Sequence, residues 1–186
     1  MRIISGKLRG KSIDFVKSKI TRPLKDSVKE NIFNIISHSN LVTIELNKAN
    51  ILDLYSGVGS FGLECLSRGA DKIVFVEKDK DSAEILTKNL NALSLEKRAE
   101  VITEDIQQFL KNETSKFDIF FLDPPFSNNI FIEDLKLIKR NKNFQKNHLI
   151  IIHREQNSSD DFQKIINPLI IRKYGRSKII FAKFLD

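Results

Sequence analysis

From Ala49 onward the chain repeats one unit: a short apolar run, a turn, then a segment of helical period. The apolar runs are Ile51-Leu52-Asp53-Leu54, Lys72-Ile73-Val74-Phe75-Val76, Glu100-Val101-Ile102-Thr103, Asp118 to Leu122 and Leu149-Ile150-Ile151-Ile152. Helices are predicted over Phe61 to Ser67, around Ala83, Leu86, Leu90 and Leu93, over Ile106 to Leu110, and around Leu135 and Ile138. Strands that alternate with helices build a parallel sheet, because each crossover lays a helix on one face. The last segment departs from this rhythm. Leu169 to Tyr174 and Lys178 to Phe184 flank Gly175-Arg176-Ser177 and read as an antiparallel hairpin. The fold class is therefore α/β: a mostly parallel sheet with a terminal antiparallel hairpin.

The first 40 residues follow another pattern. Arg2 to Ser5 and Lys11 to Phe15 alternate around Gly6 and Gly10 and predict a small hairpin. After Thr21-Arg22-Pro23, the apolar spacing of Val28, Ile32, Ile35 and Ile36 predicts a helix from Asp26 to Ser37. This gives an N-terminal extension over 1–40 and a main domain over 41–186.

Charge separates the same two regions. The chain of 186 residues carries a net charge of +7, and its first 30 residues hold nine basic groups against three acidic ones. The remaining 156 residues thus carry a net charge of only +1. A basic arm on a nearly neutral body suits a polyanion, and nucleic acid is the expected partner. A single cysteine, Cys65, excludes an internal disulfide and a multi-cysteine metal centre. Neither Cys65 nor the three histidines form a metal-ligand pattern. No apolar run reaches membrane-span length and no signal-peptide core is visible, so a cytoplasmic, monomeric protein is the expectation.

The first strand ends in Asp53-Leu54-Tyr55-Ser56-Gly57-Val58-Gly59-Ser60-Phe61-Gly62. Gly57, Gly59 and Gly62 at a strand–helix turn let a nucleotide-like cofactor approach the backbone. Glu77, at the end of the second strand, can accept bonds from both ribose hydroxyls. Asp105 is placed to meet an adenine amine, with Ile106 against the ring. Asp53 decides between two cofactor classes. A carboxylate there would repel a pyrophosphate but suits the ammonium of S-adenosylmethionine, directly or through water.

The fourth strand ends in Asp123-Pro124-Pro125-Phe126. Proline fixes φ and lacks an N–H, so this reads as a rigid ledge whose carbonyls are free acceptors. A carboxylate and carbonyls beside an aromatic face fit a planar group bearing N–H donors, such as a nucleobase with an exocyclic amine. His153-Arg154-Glu155, at the end of the fifth strand, reads equally as cleft lining or as a solvated strand end.

Together these residues resemble the S-adenosylmethionine-dependent methyltransferases of exocyclic amines, marked by Asp/Asn-Pro-Pro-Tyr/Phe. Met1-Arg2-Ile3-Ile4-Ser5-Gly6, Arg22-Pro23, Lys29-Glu30, Leu66-Ser67-Arg68-Gly69-Ala70, Phe75-Val76-Glu77-Lys78-Asp79 and Tyr174-Gly175 extend the likeness. With them the chain is similar to the RsmD-type 16S rRNA guanine-N2 methyltransferases over nearly its whole length. Leu24 and Ser27 depart from that family's pattern.

The resemblance implies a Rossmann-like class I methyltransferase sheet and methyl transfer to N2 of one guanine in 16S rRNA or the 30S subunit. It implies an acceptor site of Asp123, Pro124, Pro125 and Phe126. Tyr55, Ser56 and Lys78 join Asp53, Gly57, Gly59, Gly62, Glu77, Asp105 and Ile106 around the cofactor. Arg2, Lys7, Arg9, Lys11, Arg22 and Lys29 are the candidates for RNA phosphates. Adenine N6 of DNA, a glutamine amide, and a non-catalytic assembly factor are the competing readings.

Overall fold

The computed structural model describes residues 1–15, 24–125, 129–162 and 164–185. Helix α1 (Asp26–His38) precedes the alternating part. There follow β1 (Asn50–Leu54), α2 (Ser60–Ser67), β2 (Lys72–Val76), α3 (Lys80–Ala92), β3 (Ala99–Ile102), α4 (Ile106–Asn112), β4 (Phe117–Leu122) and α5 (Phe131–Asn141). The chain closes with β5 (Phe144–Glu155), β6 (Ile166–Tyr174) and β7 (Ser177–Phe184).

The sheet has seven strands in the order β3-β2-β1-β4-β5-β7-β6. The first five run parallel, and β7 is antiparallel to both of its neighbours, as the terminal hairpin requires. The chain moves outward from β1 to β3, then returns to β4 on the other side of β1. With right-handed crossovers, that reversal puts α2 and α3 on one face and α4 and α5 on the other. The core divides accordingly. Phe61, Leu66, Leu86 and Leu90 bury with Ile51, Phe75 and Phe121 on the first face. Phe109, Leu110, Leu135 and Ile138 bury with Leu52, Phe120 and Ile150 on the second. Strand β5 is longer than its apolar run: His148 to Arg154 is buried throughout, and the polar start Gln145-Lys146-Asn147 is exposed.

The N-terminal hairpin is shorter than its alternation predicts. A single antiparallel bridge joins Arg2 and Ser12, with Ile3 N–H donating to the Lys11 carbonyl at 2.9 Å. The pairing stops because the next amides have another partner. Ile4 and Ser5 donate to the two carboxylate oxygens of Glu64 at 2.8 and 2.9 Å, and Lys7 donates to the Ser67 carbonyl at 2.8 Å. The arm is thus laid along α2. Ile3, Ile13, Val28 and Ile32 bury in the same apolar layer as α2 and α3. A stacked column of Phe33, Phe61 and Phe121, with centroids 5.4 and 4.0 Å apart, runs from α1 through α2 to β4.

Candidate active site

The topological reversal lies between β1 and β4, where Leu54 and Leu122 are register partners. The crevice at such a point, beyond the carboxyl ends of the strands, is where open α/β sheets bind ligands. Both sequence motifs open onto it. The glycine turn follows Leu54, Asp123 follows Leu122, and Asp123 N–H donates to the Leu54 carbonyl at 3.4 Å.

The glycine turn is held by its neighbour strand. Ser56 N–H donates to the Val76 carbonyl at 3.3 Å, and Gly57 N–H to Glu77 Oε2 at 2.8 Å. Glu77 Oε1 accepts from Asp79 N–H at 2.8 Å. Each carboxylate oxygen keeps a lone pair for a ribose hydroxyl, and the two backbone bonds fix its direction. Gly57 has φ +53°, and open space surrounds the place where a Cβ would stand. Gly62 is needed for a different reason: a Cβ there would strike the Phe75 ring and lie 3.0 Å from Asp53 Oδ2.

Asp53 is buried. Its Oδ2 accepts from Gly62 N–H at 3.0 Å, while among the described residues its Oδ1 has no partner, and neither has Ser56 Oγ. Burial pushes the Asp53 carboxyl well above its ordinary value; the Gly62 bond opposes this, and the charges of Asp123 and Glu77 add to it. A buried acceptor without a partner is costly, and a ligand's ammonium would relieve the cost. The open Gly57 cradle, the orphaned Asp53 oxygen and the doubly anchored Glu77 carboxylate fit the groups of S-adenosylmethionine. Asp105 is exposed and caps α4, accepting from Gln107 N–H at 2.9 Å. Ile106 is buried beside it and Lys78 is exposed.

Tyr55 has φ +59°, and its hydroxyl donates to Asp134 Oδ2 at 2.5 Å. Asp134 is fully buried, and its Oδ1 has no partner among the described residues. Burial raises its carboxyl to about 6, against the lowering effect of the bonds from Tyr55 and Gln107. Burial also raises the Tyr55 hydroxyl.

On the ledge, Asp123 Oδ1 lies 2.8 Å from His153 Nδ1. The Pro125 carbonyl is not a free acceptor as expected, because the Arg154 guanidinium donates to it at 3.2 Å. Arg154 is 1% exposed and also donates to both oxygens of Asp160 and to Asn129 Oδ1. The solvated-end reading of His153-Arg154 is thereby corrected; only Glu155 is exposed. Phe126 and Arg22 lie outside the described residues.

Of the basic candidates, Arg2, Lys7, Arg9 and Lys11 are exposed. Lys29 is fully buried. Its ammonium donates to the Arg2 carbonyl and Ser60 Oγ and lies 3.9 Å from Glu64 Oε2. In this position it ties the arm to α2 and does not reach a surface phosphate. Cys65 is core, its thiol raised by burial. Sequence reading did not single out Glu64, Asp134 or Asp160. Glu64 had a visible signal: a carboxylate inside Phe61-Gly62-Leu63-Glu64-Cys65-Leu66, a helix with no polar face.

Sheet order and crevice together define a class I methyltransferase, the kind of enzyme that uses S-adenosylmethionine. The chain belongs to the family described as conserved hypothetical protein 95, whose model matches residues 1–183. It is 37% identical over 159 residues to the Ribosomal RNA small subunit methyltransferase D of Haemophilus influenzae, covering 84% of this chain and 79% of that one. The protein of that name from Buchnera aphidicola subsp. Baizongia pistaciae is 32% identical over 180 residues, covering 97% and 88%. A solved structure of yhhF from Escherichia coli matches with a TM-score of 0.85 at 26% identity, covering 99% of this chain and 97% of that one. The RsmD-type resemblance read from the residues is borne out.

Proposed function

We propose that the protein transfers a methyl group from S-adenosylmethionine to the exocyclic N2 amine of a guanine in 16S rRNA. The observation that carries this reading is the Asp123–Leu54 bond, which sets the Asp-Pro-Pro ledge beside the glycine turn. Relatives named as small-subunit rRNA methyltransferases support RNA as the acceptor. The cofactor supplies an electrophilic methyl on a sulfonium centre. Asp53, Glu77 and the Gly57 turn hold it, with Asp105 and Ile106 at the adenine.

The guanine amine is a weak nucleophile because its lone pair is delocalised into the ring. Asp123 and the Pro124 carbonyl accept its two N–H bonds, which favours a pyramidal nitrogen with its lone pair aimed at the methyl. That lone pair would take the methyl of the bound cofactor, a C–N bond replacing the S–C bond, and the nitrogen would then lose a proton to water. Orientation and fixed acceptors supply the acceleration. The base must be unpaired to reach the ledge, where Phe126 stacks on it. Residues 1–40 hold phosphates through Arg2, Lys7, Arg9 and Lys11, and residues 41–186 carry the chemistry.

The test supplies labelled S-adenosylmethionine with unmethylated 30S particles, naked 16S rRNA, DNA or protein, followed by nucleoside analysis. N2-methylguanosine is the expected product. N6-methyladenosine or methylglutamine would replace the reading. Cofactor binding without any labelled acceptor would favour an assembly factor.

A further inference from the structure

We infer that His153 and Arg154, consecutive residues at the end of β5, are positioning residues that clamp the acceptor ledge from opposite faces of the sheet. The inference rests on the ledge being the acceptor site. Strands β4 and β5 are parallel neighbours with Leu122 opposite Ile152, so the next residues, Asp123 and His153, emerge side by side. Successive side chains of a strand point to opposite faces. Ile151 accordingly joins the layer of α2 and α3, and Ile152 joins that of α4 and α5. His153 follows Ile151, and Arg154 follows Ile152 onto the Phe131 ring of α5, 4.6 Å from its centroid.

Each holds a different part of the ledge. An ionised Asp123 only accepts, so His153 Nδ1 carries the hydrogen of the 2.8 Å bond to Oδ1. That bond fixes the carboxylate plane and leaves Oδ2 for the amine. Arg154 sets the Pro125 peptide, and with φ of both prolines already locked, this removes much of the remaining freedom of the ledge. Arg154 is itself fixed by Asp160, whose side chain is 1% exposed, and by Asn129. Burial alone would raise the Asp160 carboxyl, but hydrogen bonds from Arg154 and Ser158 and the charges of Arg154 and Lys178 hold it below its ordinary value. A buried, fully partnered guanidinium spanning two loops is a rigid strut, because losing one partner would strand a charge. The aim of the acceptor amine thus depends on the loop after β5 as well as on the ledge.

The test uses full-length His153→Leu, His153→Asn, Arg154→Lys and Asp160→Asn. Single-turnover transfer, cofactor Kd and hydrogen exchange of the peptide spanning 121–133 are measured on each. His153→Leu, Arg154→Lys and Asp160→Asn should each slow transfer about tenfold or more, with cofactor Kd within about threefold. His153→Asn keeps a donor near Nδ1 and should recover most of the loss. Exchange should rise in the 121–133 peptide and stay unchanged in β1 and α2. Should Arg154→Lys not fold, Asp160→Asn decides the Arg154 arm. An unchanged rate per folded molecule, or a rate lost in step with cofactor binding, would overturn the inference. If wild type binds cofactor but methylates no acceptor, the functional reading fails instead. The exchange data then decide alone: loosening supports the clamp, and unchanged protection overturns it.

Discussion

The Tyr55 hydroxyl donates to Asp134 across 2.5 Å, fastening the residue before the glycine turn to the first turn of α5. The acceptor is a fully buried carboxylate whose proton affinity burial has raised to about 6 from an ordinary 3.8.

That shift sets a pH dependence of stability. A folded-state value above the unfolded one gives stability that is full below about 3.8 and is lost as pH rises through about 6. The loss attributable to this carboxyl totals roughly 3 kcal/mol. Asp134→Asn can still accept from Tyr55 and does not ionise. Thermal unfolding across this window should show wild type losing stability relative to the variant as pH rises. Parallel curves for the two proteins would refute the assignment.

Asp123 and Asp53 should separate chemistry from cofactor binding. Asp123→Ala should abolish methyl transfer and leave cofactor Kd within about threefold, since the residue is proposed to meet the acceptor. Asp53→Asn should weaken cofactor binding by tenfold or more, the rough worth of one charge-assisted bond. Calorimetry reads both, and the reverse pattern would exchange the two roles.

Gly62→Ala should cost about 1–3 kcal/mol of stability, because the added methyl must displace the Phe75 ring or α2. It should also weaken cofactor binding, since Asp53 Oδ2 lies against the same point. Denaturant unfolding together with calorimetry tests both effects.

The basic arm should divide into two kinds of residue. Lys7→Gln, Arg9→Gln and Lys11→Gln should lower RNA affinity and reduce the salt slope by about one for each phosphate no longer neutralised, without moving Tm. Lys29→Gln should lower Tm and leave that slope unchanged, because its ammonium is bound to Ser60, Glu64 and the Arg2 carbonyl. Filter binding over a salt series reads the difference.

The contrast between Lys29 and Lys11 shows where sequence reading stops. Strand and helix periods located the sheet, the glycine turn and the ledge, because those signals are local and the register of parallel neighbours follows from them. Burial of a charge is not local. Lys29 lies within the apolar arc of α1, with Ile32, Phe33 and Ile36, but nothing local reveals its partner until Glu64 of α2 is brought opposite it. Arg154 is similar: its partners Pro125, Asn129 and Asp160 come from two loops that meet only after folding. The alternation of Arg2 to Ser5 predicts more strand than forms, since Glu64 takes the Ser5 amide that the next ladder bond of a hairpin would use.

The single amide bond from Asp123 to Leu54 marks a seam between two separable tasks. The residues proposed to grip the methyl donor follow β1, β2 and β3, and those proposed to receive the acceptor amine follow β4 and β5. Reworking the latter pair to admit another planar amine would leave the donor pocket's own hydrogen bonds intact. In this architecture the choice of target is a replaceable part mounted on a fixed methyl-handling frame.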